Sequence, residues 1–177
     1  MSDLTLITGG AGFIGSNYAS RCISRGEKIV IFDNLSRAGS KRNLAWLEET
    51  YGKGTFDLIV GDVRDSAAIQ TAARNANRIL HLAAQVAVTT SVTDPRNDFE
   101  VNAQGTFNTL EAARLSGNKP GFLYSSTNKV YGGMDNVRVV EKKLDMIMLI
   151  CQKALLRSNC LIFIRPMAAR KVAAINM

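Results

Sequence analysis

The chain has 177 residues, 46% of them hydrophobic and 21% charged, with a formal net charge of +7. That is one globular domain with an ordinary core, and it excludes a low-complexity or disordered class. No apolar run approaches the roughly 20 residues of a membrane span, and three cysteines without paired spacing, beside a single histidine, argue against a disulfide frame or a zinc site.

Residues 4–8 (Leu-Thr-Leu-Ile-Thr) read as a buried strand and residues 13–25 have helical periodicity. No signal segment is expected, because Ser2 and Asp3 lead straight into that strand, and the expected location is cytoplasmic. Between strand and helix stands Gly9-Gly10-Ala11-Gly12-Phe13-Ile14-Gly15. Gly9 permits a tight turn, Gly12 lets backbone approach a pyrophosphate, and Gly15 lets the helix pack against the strand. The first N–H groups of the helix, with its dipole, supply an anion site. Three glycines alone are a weak pattern; the strand before, the helix after and an acid at the right distance read as a dinucleotide-binding turn.

Residues 28–32 (Lys-Ile-Val-Ile-Phe) read as the second strand, after Gly26 closes the first helix. A helix over 41–50, a strand over 56–60, a helix over 66–74 and a strand over 78–82 come next. Residues 98–116 read as a long helix and 121–125 as a fifth strand. This alternation predicts an α/β fold, a Rossmann-type doubly wound parallel sheet with right-handed crossovers. Ligands of such sheets bind beyond the carboxyl ends of the strands.

Asp33 ends the second strand, 18 residues after Gly15. A carboxylate there accepts hydrogen bonds from both ribose hydroxyls of an adenosine and repels a 2′-phosphate, which favours NAD over NADP. Arg37 stands close enough to receive such a phosphate, and Asp33 also reads as a solvated turn acid. Asp62-Val63 ends the third strand, where a short polar side chain and backbone can meet an adenine; Gly61-Asp62 reads equally as a plain turn. Leu82-Ala83-Ala84-Gln85 ends the fourth strand, and its small residues let backbone lie near the middle of a cofactor or simply pack. His81 reads as structural. Asn102, inside a helix where its propensity is poor, is either solvated or turned inward toward the site. The fifth strand runs into Tyr124-Ser125-Ser126-Thr127-Asn128-Lys129-Val130-Tyr131-Gly132, whose hydroxyls suit a reacting sugar hydroxyl or its ketone.

The charge is unevenly placed along this order. Residues 1–140 carry 15 Lys/Arg against 13 Asp/Glu, whereas residues 141–177 carry 7 against 2. Cys151, Cys160 and four of the six methionines fall in the same last stretch. The basic character belongs to that atypical tail and the core has no basic stripe with interleaved aromatics, so no nucleic-acid partner is expected. The expected division is a dinucleotide-binding domain over 1–140 and an atypical tail over 141–177.

With TGGAGFIG, FDNLSR, GDVRD, HLAAQ and SSTNKVYG in this order, the chain resembles the extended short-chain dehydrogenase/reductase family over roughly residues 3–140. Within it, SSTNKVYG with FDNLSRAG and QVAVTTS is most similar to the CDP-tyvelose (CDP-paratose) 2-epimerases. The resemblance implies bound NAD, a nucleotide-sugar substrate, and epimerisation by hydride transfer through a keto-sugar. It sets Gly9, Gly12, Phe13, Ile14, Gly15, Asp33, Asn34, Ser36, Arg37, Asp62, Val63, Leu82, Ala83, Ala84, Gln85, Asn102 and Ser125 against the cofactor. No metal is implied, and homo-oligomers occur in the family. Thr127 matches the hydroxyl that orients the substrate oxygen; as a bare residue it reads also as a turn cap.

The family's proton-transfer pair, Tyr-x-x-x-Lys on the next helix, is missing: Tyr131 is followed by Asp135, and no tyrosine comes after Tyr131. A shifted reading frame accounts for this. Starting each codon on the last base of the one before, Met167-Ala168 must give glycine, and residues 165–171 permit Pro-Tyr-Gly-Cys-Ser-Lys, which is similar to the family's catalytic helix. The alternative is a genuine tail, with an apolar helix over 144–157 and a sixth strand over 161–165, as in an internally deleted relative. Either reading leaves the family's substrate-binding C-terminal part missing, and little or no turnover is expected.

Overall fold

The computed structural model describes residues 3–127, 139–142 and 145–148. In chain order it contains β1 (Leu4–Thr8), α1 (Phe13–Ile23), β2 (Lys28–Asp33), α2 (Ser40–Tyr51), β3 (Asp57–Val60), α3 (Ser66–Ala73) and β4 (Arg78–His81). Then come α4 (Val88–Thr93), α5 (Pro95–Phe99), a π-helical turn (Glu100–Gln104), α6 (Gly105–Leu115), β5 (Gly121–Tyr124), β6 (Val139–Lys142) and β7 (Asp145–Met148).

Strands β1 to β5 form one sheet in the order β3-β2-β1-β4-β5, every neighbouring pair parallel. Side chains alternate across a strand, so the two faces can be read from neighbouring residues. Leu6, Val30, Phe32 and Ile79 pack on one face against Ile69, Ala72, Ala73, Ala112 and Ala113 of α3 and α6. Ile7, Ile29, Ile31 and Leu80 pack on the other against Ala19, Cys22, Leu44 and Leu47 of α1 and α2. Both faces are covered, which is why these strands are near-continuous apolar runs. The expected doubly wound parallel architecture is what the chain adopts.

Element bounds shift by a residue or two from expectation, and three features differ in kind. Val88–Thr93 is a short helix that was not expected. The long helix begins earlier, at Pro95, capped by Asp94 accepting from Asn97 N at 3.0 Å, and it contains the π turn, closed by Gly105 N donating to Glu100 O. Residues 145–148 are a strand paired antiparallel with β6, not the start of a helix over 144–157. Strand β6 spans the expected boundary between residues 140 and 141. The strand expected over 161–165 and the segment 128–138, with Tyr131 and Asp135, lie outside the described residues. Among the described residues no helix is long and apolar enough to cross a membrane.

Candidate functional site

The strand order reverses between β1 and β4, where β1 leads away to β2 and β3 on one side and β4 to β5 on the other. Loops leaving the two central strands diverge there and open a crevice. A cavity of about 970 Å³ occupies it, lined from the ends of all five strands.

Its floor is the glycine turn. Gly9 has φ +67°, and a Cβ on it would lie 2.7 Å from Ala83 N. Thus the turn needs both the left-handed backbone and the missing side chain. A Cβ on Gly15 would lie 2.5 Å from Gly9 O and 2.6 Å from Gly10 Cα, so this glycine lets α1 pack against the turn itself. Gly10 also has no room, at 2.9 Å from both Ile31 Cγ2 and Ile7 O. Gly12 caps α1 with no side-chain bond, and the first turn carries no acidic residue. N–H groups of a first helical turn have no intrahelical acceptors, and here they and the positive end of the dipole line the cavity at Phe13, Ile14 and Gly15. The side chains of Phe13 and Ile14 are 80% and 63% exposed and give this anion site an apolar flank.

The second wall comes from β2. Asp33 is buried, its Oδ2 accepting from Ala11 N at 3.0 Å and its Oδ1 from Leu35 N at 2.8 Å. Each oxygen retains a lone pair, so the carboxylate is fixed while still able to accept from a diol. Asn43 Nδ2 donates to Ala11 O at 2.8 Å and ties α2 to the turn. Arg37, the alternative phosphate receptor, donates from Nη2 to Gln85 Oε1 at 3.1 Å.

On the third wall Asp62 accepts from Asn34 Nδ2 at 2.9 Å, from Arg64 N at 3.0 Å and from Arg64 Nη2 at 2.7 Å. Chiefly the hydrogen bond from the Arg64 side chain lowers its carboxyl from 3.8 to about 2, against the opposing effect of burial. Asp62 is therefore an anion committed to its neighbours.

The fourth wall is the segment after β4. His81 is buried, with Nδ1 2.7 Å from Thr8 Oγ1 and Nε2 3.1 Å from Thr106 Oγ1. Thr106 Oγ1 donates to Asn102 O at 2.7 Å, which leaves its lone pairs to accept from His81 Nε2. The ring also stacks on Tyr124, with centroids 5.8 Å apart. Burial pushes the Tyr124 hydroxyl above its ordinary value, so it is poorly suited to serve as a base.

Leu82, Ala83, Ala84 and Gln85 line the cavity, as do Ser125 and Thr127 beyond β5. Every residue expected to touch cofactor or substrate lines this cavity except Asn102. Asn102 is 1% exposed and turned inward, but it bonds to the Gln85 main chain. Gly39, Ser40, Asn43, Arg64, Asn97 and Val101 line the cavity without having been expected. Only Arg64 and Gly39 carried a local signal, each lying within two residues of a strand-end acid or basic loop residue.

Comparison with known proteins agrees with this geometry. Residues 6–145 match the family model described as GDP-mannose 4,6 dehydratase. The chain is 44% identical over 138 residues to a CDP-paratose 2-epimerase of Salmonella typhi, covering 77% of this chain and 40% of that protein. It is 34% identical over 138 residues to a UDP-glucose 4-epimerase of Klebsiella pneumoniae, covering 77% of this chain and 97% of that sequence. The solved UDP-glucose 4-epimerase of Thermus thermophilus, a complex with NAD, superposes with a TM-score of 0.74 at 30% identity, over 98% of this chain and 49% of that one. The chain thus spans well under two thirds of the Salmonella and Thermus proteins. With the parallel sheet, the glycine turn and the matched family model in agreement, the chain belongs to the GDP-mannose 4,6 dehydratase family of extended short-chain dehydrogenase/reductases, whose members are NAD-dependent sugar epimerases and dehydratases.

Proposed function

We propose that this chain is the NAD-binding part of a nucleotide-sugar epimerase whose parent reaction is C2 epimerisation of a CDP-linked deoxyhexose. The observation that carries the reading is the cavity at the switch point, with a bare helix N-terminus on one side and the fixed Asp33 carboxylate on the other. The first turn of α1 binds the pyrophosphate and Asp33 accepts from the adenosine ribose. Asp62 and Val63 lie against the adenine, and Leu82 to Gln85 border the middle of the cofactor. Held there by the α1 turn, Asp33 and the Leu82–Gln85 segment, NAD would supply reversible hydride acceptance at the sugar carbon. Thr127 orients the sugar hydroxyl at the mouth of β5, and Ser125 lies against the cofactor. Identity of 44% to a CDP-paratose 2-epimerase supports the CDP-sugar assignment. Similarity to a UDP-glucose 4-epimerase supports a second reading, another NAD-dependent sugar epimerase or dehydratase.

The family's proton-transfer motif, Tyr-x-x-x-Lys, does not occur within these 177 residues. We therefore read the chain as binding NAD without turning over, and residues 141–177 as the product of a shifted reading frame. Family matching that stops at residue 145 supports that division. Resequencing the DNA across codons 135–177 tests the frame: an intact catalytic helix in the corrected frame is expected, and an unchanged frame in independent clones removes a sequencing error as the cause.

Titrating NAD into the purified chain tests the binding reading. Saturable binding is expected, weakened about tenfold by Asp33→Ala through loss of the two ribose hydrogen bonds. Absence of saturable binding overturns the cofactor site, and measurable epimerisation overturns the inactive reading.

A further inference from the structure

The helix from α5 through the π turn into α6 makes two polar grips on main chain, one on each of two cavity walls. Asn102 Oδ1 accepts from Gln85 N at 3.0 Å, and its Nδ2 donates to Gln85 O at 3.0 Å and to the buried Asp98 carboxylate. Both amide protons and the carbonyl are used, so a flipped amide would set donor against donor. Six residues on, Asn108 Nδ2 donates to Val63 O at 2.9 Å and to Arg64 O at 3.1 Å. Between them lies Gly105, where a Cβ would come within 2.6 Å of Val63 Cγ2; glycine lets the helix reach this wall. The Arg64 side chain returns the contact, its Nη1 donating to Asn97 Oδ1 at 3.0 Å. A π turn adds a residue to one helical turn and shifts the phase of the helix beyond it. Here it lies between Asp98 and Asn108 and itself contains Asn102.

We propose that Asn102 and Asn108 are positioning residues that set the two walls independently. Asn102 holds the Gln85 wall beside the middle of the cofactor, and Asn108 holds the Val63–Arg64 wall beside its adenine. Neither contacts the cofactor. The functional half of this assignment rests on the NAD-binding reading; the mechanical half does not. Separate grips predict separate losses. An adenosine monophosphate probe samples the adenine wall, whereas NAD samples both.

The test pairs binding of NAD and AMP to Asn102→Ala and Asn108→Ala with hydrogen exchange in the absence of ligand. Asn108→Ala is expected to weaken both ligands by about tenfold, and Asn102→Ala to weaken NAD by a similar factor while changing AMP less than about twofold. In the unvaried chain the Gln85 amide is expected to be protected, and Asn102→Ala speeds its exchange while the β1 amides keep theirs. Equal loss of AMP and NAD in Asn102→Ala overturns the separate assignment, because a merely structural role weakens both alike. A Gln85 amide that exchanges like open loop in the unvaried chain overturns the grip with no variant needed, which covers the case where Asn102→Ala does not fold. An unvaried chain that binds neither ligand overturns the cofactor reading instead, and the exchange at Gln85 still decides the grip.

Discussion

The glycine turn separates two uses of the same residue type. Gly9 is required for its φ of +67° as well as for space, whereas Gly15 is required for space alone. Gly15→Ala sets a methyl against backbone that cannot rotate away, and it is expected to destabilise the chain by about 1–3 kcal/mol in urea unfolding. Gly121→Ala is the matched control, since a Cβ there meets nothing within 4 Å; a change below about 0.5 kcal/mol is expected. Asp62 supplies a pH dependence. Its folded carboxyl is held at about 2, down from 3.8, mainly by Arg64. The stabilisation is therefore complete above the unfolded value and is lost as pH falls through the folded one. Asp62→Asn is expected to be less stable at neutral pH and to lose less of its stability between about pH 4 and 2 when acid unfolding is followed by circular dichroism.

Among the elements, α3 depends most visibly on a single cap. Its sequence, Ser-Ala-Ala-Ile-Gln-Thr-Ala-Ala, has no acidic residue in the first turn, and Asp65 Oδ1 accepts from both Ala67 N and Ala68 N. Asp65→Ala is expected to cost about 1 kcal/mol in thermal or urea unfolding, with no effect on the cavity walls. The central strands β1, β2 and β4 were legible because each is a short apolar run buried on two faces and bounded by glycine or a polar turn, as in 28–32 before Asp33. The ligand-facing ends were legible because the fold fixes where a strand must stop. The hidden features had no local signature. Val88–Thr93 is rich in β-branched residues whose propensity argues against a helix, and tertiary context overrides it. Asn102 was visible as an odd helical residue, yet its partner 17 residues away was not. The π turn between Glu100 and Gln104 depends on where the helix must meet Val63 and Gln85, which no window of sequence contains.

At the scale of the whole molecule, the described walls of the candidate site are drawn from residues 9–127. The charge, cysteine and methionine shift near residue 141 lies beyond all of them. In the proposed reading, binding surface and proton-transfer chemistry are separable along this chain. A glycine turn with a correctly placed acid supports the inference of a cofactor, and it carries no information about turnover. That inference needs the hydroxyl, the base and its lysine together; of the proposed set, Thr127 lines the cavity among the described residues.

The position of β1 in the centre of the sheet also orders events in time. Its register with β2 joins residues about one helix apart, but its register with β4 joins Thr5 to Arg78 and Thr8 to His81, a separation of 73 residues. Distant pairings close late, because the intervening chain must first surrender its freedom. A chain emerging from the ribosome can pair β1, β2 and β3 while the other flank of β1 is still bare. Until His81 has emerged, the backbone of Leu6 and Ile7 lacks its strand partners Ile79 and Leu80 on that flank. Chaperone capture and self-association compete with folding in that interval, and arrival of β4 ends it.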